Sequence, residues 1–322
     1  MSSLISVNNL TRRYGDFCAV NNISFKLAAG DILGFLGPNG AGKSSTMQML
    51  TGNLAPTFGE IEINGVDLLE NPKAAKASLG YLPENPPLYK EMTVLEYLTF
   101  CARIHGVVKQ KINTISQSSI DACGLGEVRN RLIKNLSKGY QQRVGIAQAI
   151  LHSPPVIVLD EPTVGLDPIQ ILEIRRLIKT LGENHGIILC THILPEVQAV
   201  CNRVQIINKG ELIYSAGIDE ILNQESTRFE ISFASEISPD ILSSHSVFTS
   251  IKKADNNHFI VESDLNADKL IEYIVQQQWG LNQFTQQQAS LEQIFINLTL
   301  ADANTVDPNT MNASSTEQEK VA

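Results

Sequence analysis

Eight consecutive residues, Gly37-Pro38-Asn39-Gly40-Ala41-Gly42-Lys43-Ser44, combine glycines, a lysine and a hydroxyl in the spacing G-x-x-x-x-G-K-[ST]. That combination suits a polyphosphate. Phosphate oxygens need many backbone N–H donors at close range, which requires side chains to be absent at Gly37, Gly40 and Gly42. Ser45 to Leu50 reads as the first turns of a helix stopping near Gly52, and its N-terminus adds donors and the positive end of a dipole. Lys43 is suited to neutralising β- and γ-phosphate charge, and Ser44 to ligating Mg²⁺ through its hydroxyl. Asp31 to Leu36 reads as a short buried strand, so strand, loop and helix follow in the order the chemistry needs.

A second set of chemical residues lies downstream. Val156-Ile157-Val158-Leu159-Asp160-Glu161 is a buried-strand run ending in two carboxylates. With a phosphate loop in the same chain, Asp160 is the expected Mg²⁺ partner and Glu161 is placed to polarise an attacking water; a solvated acidic pair is the bland alternative. Asp167 then reads as an N-cap with Pro168 at the first helical position, opening a helix that buries Ile171, Ile174, Ile178 and Leu181. Ile187 to Thr191 is another buried strand, and His192 follows it directly, where ligands bind in such sheets. Tyr14, within Arg12-Arg13-Tyr14-Gly15-Asp16, is placed either to stack on a base or to pack at a strand edge. In Leu136-Ser137-Lys138-Gly139-Tyr140-Gln141-Gln142-Arg143, Ser137 is a good N-cap and Tyr140, Val144, Ala147 and Leu151 share one helical face. Gly139 weakens that helix by up to about 1 kcal/mol relative to Ala, which makes sense if something must approach its backbone closely.

The elements that hold these residues are legible in outline. Ile23, Phe25 and Leu27 alternate with polar positions, and Glu60 to Ile63 alternates into Asn64-Gly65, a hairpin signal; both point to an antiparallel sheet. Glu84 to Ser153 reads as mostly helical, with a Thr93–Glu96 capping box opening a helix through Ala102. Beyond about Thr227, strands at Phe229-Ile231-Phe233 and Phe259-Val261 and helices at Ala267 to Gln278 and Leu291 to Leu298 form a small α+β unit. Ser290 and Gln293 read as the capping box of the last helix, and the single tryptophan, Trp279, as a packing residue. Ala301 to Ala322 is polar and reads as disordered. At 322 residues there is room for two or three domains, and a hydrophobic fraction of 43% is that of an ordinary globular chain. A net charge of −9 gives no global bias toward nucleic acid or anionic lipid. The five cysteines are scattered and never spaced C-x-x-C, which reads as reduced thiols near the core. No apolar run approaches the ~18 residues of a membrane span, and the N-terminus lacks a signal pattern, so the expectation is a protein that neither crosses a membrane nor is secreted.

Taken together, the segments from roughly Leu4 to Gly217 resemble the nucleotide-binding subunit of an ATP-binding cassette (ABC) transporter. The resemblance rests on the phosphate loop Gly37–Ser44, the signature Leu136–Arg143, the strand ending at Asp160 with Glu161, the loop Gly165-Leu166-Asp167 and the switch residue His192. It implies an α/β fold: a P-loop NTPase core with an antiparallel β subdomain and a helical signature subdomain, plus a small α+β C-terminal domain. The implied boundaries are 1–220 for the cassette (helical part about 85–153), 225–300 for the C-terminal domain and 301–322 for the tail. It implies ATP and Mg²⁺ as cofactors, with Tyr14 and the loop residues Gly37, Pro38, Asn39, Gly40, Ala41, Gly42, Lys43, Ser44 and Ser45 around the nucleotide. Two such domains pair head to tail in the family, so Ser137, Gly139 and Asp167 would complete the site whose phosphates Lys43 of the partner holds. Glu161 would be the general base, His192 would hold the γ-phosphate and water, and Ser44 and Asp160 would serve Mg²⁺.

The implied partners are a second cassette, in a homodimer or a heterodimer, and a separate transmembrane permease; no nucleic acid is expected. The implied location is peripheral, on the cytoplasmic face of the membrane. One position departs from the commonest family pattern: Glu84 stands in Gly80-Tyr81-Leu82-Pro83-Glu84 where Gln is usual, still able to serve Mg²⁺ but adding negative charge. Asn85-Pro86-Pro87-Leu88-Tyr89 reads either as part of the surface that receives the permease or as a plain Pro-rich turn. The C-terminal unit, ending in a Ser-Leu-Glu-x-Ile-Phe-like helix, resembles that of single-domain exporter ATPases for drugs, polysaccharides or lipids. The alternatives are an importer ATPase, a cassette that binds ATP without turnover, and a non-transport cassette acting on ribosomes or nucleic acid. The last commonly carries two cassettes, whereas one phosphate loop and one signature are present here.

Overall fold

Alternating burial sets the first sheet: Ile23, Phe25 and Leu27 are buried while Ser24 and Lys26 between them face solvent. The computed structural model describes residues 3–222, 228–255, 257–287 and 291–300. Strands β1 (Ser3–Tyr14) and β2 (Phe17–Ala28) form a hairpin that turns at Gly15, and β3 (Ile32–Leu36) leads into the phosphate loop. Next come β4 (Phe58–Ile63) and β5 (Val66–Asp67), joined by Asn64 and Gly65 at φ 51° and 75°. That pair of left-handed residues matches the twist of a two-residue hairpin. Four strands thus pair antiparallel in the order β2-β1-β4-β5.

The second sheet holds six strands: β3, β6 (Leu79–Leu82), β7 (Val156–Asp160), β8 (Gly186–Thr191), β9 (Arg203–Asn208) and β10 (Glu211–Gly217). Their order is β10-β9-β3-β8-β7-β6, parallel throughout except for β10 against β9. Every residue of β3, β7 and β8 is buried, the pattern of strands covered on both faces. Register then fixes function: Leu36 pairs with Thr191, and Asp160 with Cys190. The C-terminal ends of β3, β7 and β8 therefore share one edge of the sheet. One apolar cluster ties Ile5, Val7 and Phe25 of the first sheet to Leu33, Phe35, Val158 and Ile188 of the second.

Helix α1 (Lys43–Leu50) begins two residues before the expected Ser45, so Lys43 and Ser44 lie in its first turn. After α2 (Pro72–Ala77) comes a helical segment of α3 (Val94–Ile104), α4 (Ile112–Ala122) and α5 (Lys138–Ile150). Thr93 and Glu96 close a reciprocal capping box at α3, which runs two residues past Ala102. Ser137 caps α5 by accepting from the Tyr140 N–H, and Asp167 caps α6 (Pro168–Gly182) by accepting from Ile169 and Gln170 at 3.0 and 2.9 Å. In α6, Ile174, Ile178 and Leu181 are buried; Ile171 is only half-buried, a correction to the expected face. Helix α7 (Leu194–Val200) follows β8.

Contacts divide the chain into Met1–Ile218 and Asp219–Ala322. Within the second unit, β11 (Arg228–Phe233), β12 (Phe248–Asp255), β13 (His258–Ser263) and β14 (Leu281–Gln286) pair antiparallel in the order β12-β13-β11-β14. Helices Pro239–Ser243 and Ala267–Gln276 interleave with them as β-α-β-β-α-β, a split βαβ arrangement. Phe229, Phe259, Leu270 and Ile274 are its fully buried centre, and Trp279 stands edge-on to Phe233 at 6.0 Å. The expected Ser290 cap and the tail 301–322 lie outside the described residues.

Because Trp279 is the only tryptophan, its fluorescence reports this second unit alone. Phe229→Ala empties a fully buried ring site beside Phe284 and is expected to cost about 3–5 kcal/mol. The Trp279 denaturation midpoint falls accordingly; an unchanged midpoint would remove Phe229 from the core.

Candidate functional site

A cleft of about 420 Å³ opens at the shared strand edge, and residues from five separate stretches line it: Tyr14 and Phe17, the loop with α1, Glu84, Asp160 with Glu161, and His192. Of the sequence-predicted residues, Tyr14, Asn39, Gly40, Gly42, Lys43, Ser44, Ser45, Glu84, Asp160, Glu161 and His192 face it. Gly37, Pro38 and Ala41 belong to the loop without lining the cleft, and Ser137, Gly139 and Asp167 lie off it.

The loop is glycine-rich partly for internal reasons. A Cβ on Gly37 would collide with the Ile207 carbonyl, and one on Gly42 with the Ala19 carbonyl. Gly42 also holds φ at 105° and gives α1 no side-chain cap, which leaves the first-turn N–H groups open toward the cleft. Lys43 is 7% exposed, and its Nζ donates to the carbonyls of Gly37 and Pro38 at 2.7 and 3.1 Å. The cation is thereby held inside the loop it would serve. Ser44 is exposed beside it.

Two acids close the opposite wall. Burial pushes the Asp160 carboxyl up, opposed by a hydrogen bond with Cys190; the nearby charges of Glu161 and Glu84 raise it further, and Lys43 lowers it. Three carboxylates thus converge on one lysine, and with the Ser44 hydroxyl they form a set of hard oxygen donors, the chemistry that suits Mg²⁺. Glu161 sits at φ 47°, left-handed for a non-glycine residue and costing on the order of 1–2 kcal/mol. The turn holds it there through Glu161 N–H to Cys190 O at 2.8 Å. Its Oε1 lies 2.7 Å from His192 Nδ1, and its Oε2 accepts from the Thr191 hydroxyl at 3.2 Å.

Sequence reasoning missed Phe17, Thr191 and Glu196. Phe17 pairs with Tyr14 across the β1–β2 turn and is 64% exposed, so two aromatics rim the cleft. An exposed aromatic directly across a Gly-Asp turn from Tyr14 was the available signal. At Gly139 the Gln170 side chain of the same chain occupies the space a Cβ would need.

A second groove, of about 680 Å³, lies on the other side of the Glu84 segment, lined by Tyr81, Pro83 and Pro87 together with Gln48, Lys76 and the stacked pair His105–His152. Burial lowers His152 to about 4, so that ring is neutral at physiological pH.

The model of the family described as ABC transporter matches residues 20–164. The uncharacterized ABC transporter ATP-binding protein YxlF of Bacillus subtilis is 31% identical over 300 residues, 92% of this chain and 100% of that protein. The bacitracin transport ATP-binding protein BcrA of Bacillus licheniformis is 39% identical over 236 residues, 72% of this chain and 76% of that protein. Among solved structures, an ATP-binding subunit of an ABC transporter superposes with a TM-score of 0.62 at 30% identity, covering 69% of this chain and 93% of that one. Identity at that level over nearly the whole chain goes beyond a shared architecture: the chain belongs to the ATP-binding subunits of ABC transporters and is an ATP-hydrolysing P-loop NTPase.

Proposed function

We propose that this chain drives export through a separate membrane permease, hydrolysing ATP at the Lys43 cleft with Glu161 as general base. The observation that carries the hydrolytic reading is the convergence of Lys43, Asp160, Glu161 and His192 on one cleft from four separate segments. Tyr14, with Phe17 beside it, stacks on the base; the loop N–H groups and Lys43 hold the phosphates. Ser44, Asp160 and Glu84 would hold Mg²⁺, which would supply charge to offset that of the phosphates. Glu161 takes a proton from the attacking water, and His192, hydrogen-bonded to it, orients that water and the γ-phosphate.

Ser137, Gly139 and Asp167 lie off the cleft of their own chain, which supports a site completed by a second cassette, as a homodimer or with a related subunit. Support for export comes from the bacitracin-transport relative. Among the described residues no helix is long and apolar enough to cross a membrane, so the membrane path is assigned to a partner and this chain to a peripheral position beside it. The second groove is the proposed seat for that permease: Glu84 faces the nucleotide cleft while Pro83 and Pro87 face the groove, so one short loop spans both.

Glu161→Gln is expected to bind ATP, to lose turnover by roughly 100- to 10,000-fold, and to elute as an ATP-dependent dimer; turnover at the wild-type rate would remove Glu161 from the mechanism. Glu84→Gln is expected to continue hydrolysing ATP with a higher Mg²⁺ requirement, and a dead variant would give the carboxylate a role of its own. Pull-down from detergent-solubilised native membranes, read by mass spectrometry, should recover a multi-spanning permease, and Pro87→Arg should lose it while still binding ATP. Recovery of ribosomal or DNA-repair proteins in its place would overturn the transport reading.

A further inference from the structure

Behind Glu161 lies a second carboxylate that phosphate chemistry does not use. Glu196, in the first turn of α7, is 1% exposed and reaches the catalytic end of the sheet through one hydroxyl. Thr191 Oγ1 stands 3.2 Å from Glu161 Oε2 and 3.1 Å from Glu196 Oε2, and it accepts from the Ile193 N–H at 3.1 Å. The other oxygen of Glu196 takes the Thr163 hydroxyl.

Counting protons decides what this arrangement needs. A threonine hydroxyl has one proton and two lone pairs. Thr191 can donate to one carboxylate only, so the contact with the other has no hydrogen unless that carboxyl brings its own. With both acids ionised, two buried charges would share one proton and leave an oxygen pair unbridged, a costly state. The missing proton belongs on Glu196 rather than Glu161. Glu161 opens on the cleft and has His192 Nδ1 as a second partner at 2.7 Å. Among the described residues no cation lies within ion-pair distance of Glu196. Arg175 of α6 acts on it through its charge, and Glu196 in turn helps to raise the thiol of Cys201 at the end of α7. Burial pushes the Glu196 carboxyl up, against the Thr163 and Thr191 hydroxyls and Arg175, and Glu161 adds to the rise.

We propose that Glu196 is a protonated carboxylic acid that donates to Thr191 Oγ1, so that the Thr191 hydroxyl donates onward to Glu161 Oε2 and fixes that carboxylate for its work on water. Glu196 is a positioning residue, acting through Thr191, and the kinetic half of the inference rests on Glu161 as the base.

The test uses the full-length chain. The infrared difference spectrum of wild type minus Glu196→Gln at neutral pH is expected to show the C=O stretch of a protonated carboxyl; an ionised carboxylate pair of bands would overturn the proposal. Glu196→Gln keeps a donor for Thr191 and an acceptor for Thr163, and should hold kcat within about twofold of wild type. Glu196→Leu, which has neither, should lose about tenfold in kcat with the KM for ATP unchanged. In a Thr191→Val background the Leu exchange should cost nothing further. A Gln variant as impaired as the Leu variant, or additive losses with Thr191→Val, would overturn the relay. Full turnover by Glu161→Gln would instead defeat the base assignment and leave the infrared result standing, which separates the two failures.

Discussion

The structure depends on the parallel register of three buried strands. Because Leu36 is paired with Thr191 and Asp160 with Cys190, three chain segments far apart in sequence leave the sheet along one edge. The glycine loop begins there, the two acids end there, and His192 follows there. A one-residue slip of β7 against β8 would turn Asp160 to the opposite face of the sheet. The continuous burial of all three strands resists such a slip, since no face could accept a polar residue without losing apolar cover.

Electrostatics is the second constraint. Asp160, Glu161 and Glu84 face one cleft with Lys43 as the neighbouring cation, and Lys43 is turned inward onto the loop carbonyls. Like charges at this range destabilise one another, and burial of Asp160 adds to the cost. Glu161 carries backbone strain on top of that. Strain and crowded charge at one place are tolerated because the sheet and the apolar cluster beneath it are over-determined.

Much of this was legible in the sequence because the relevant signals are local. The loop spacing, the Thr93–Glu96 and Ser137 caps, Asp167 before Pro168 and the Asn64-Gly65 turn each depend on residues a few positions apart. What escaped was set by tertiary packing. Glu196 looks like an ordinary first-turn acid favoured by the helix dipole, and only the fold buries it behind Thr191. Ile171 falls on the periodic face of α6 yet stays half-buried. Strand β14, Leu-Asn-Gln-Phe-Thr-Gln, is too polar to announce itself and becomes a strand by pairing with β11 at a sheet edge. The Gln170 side chain that fills the space beside Gly139 comes from the next helix, a contact no local pattern announces.

The most direct test of the central claim is a crystal structure of the Glu161→Gln chain with ATP and Mg²⁺. The expected result is two chains head to tail, each ATP with its phosphates on Lys43 of one and against Ser137 and Gly139 of the other, its base on Tyr14, and Mg²⁺ between Ser44 and Asp160. ATP bound away from the Lys43 cleft, or enclosed by one chain with the signature residues facing solvent, would contradict it.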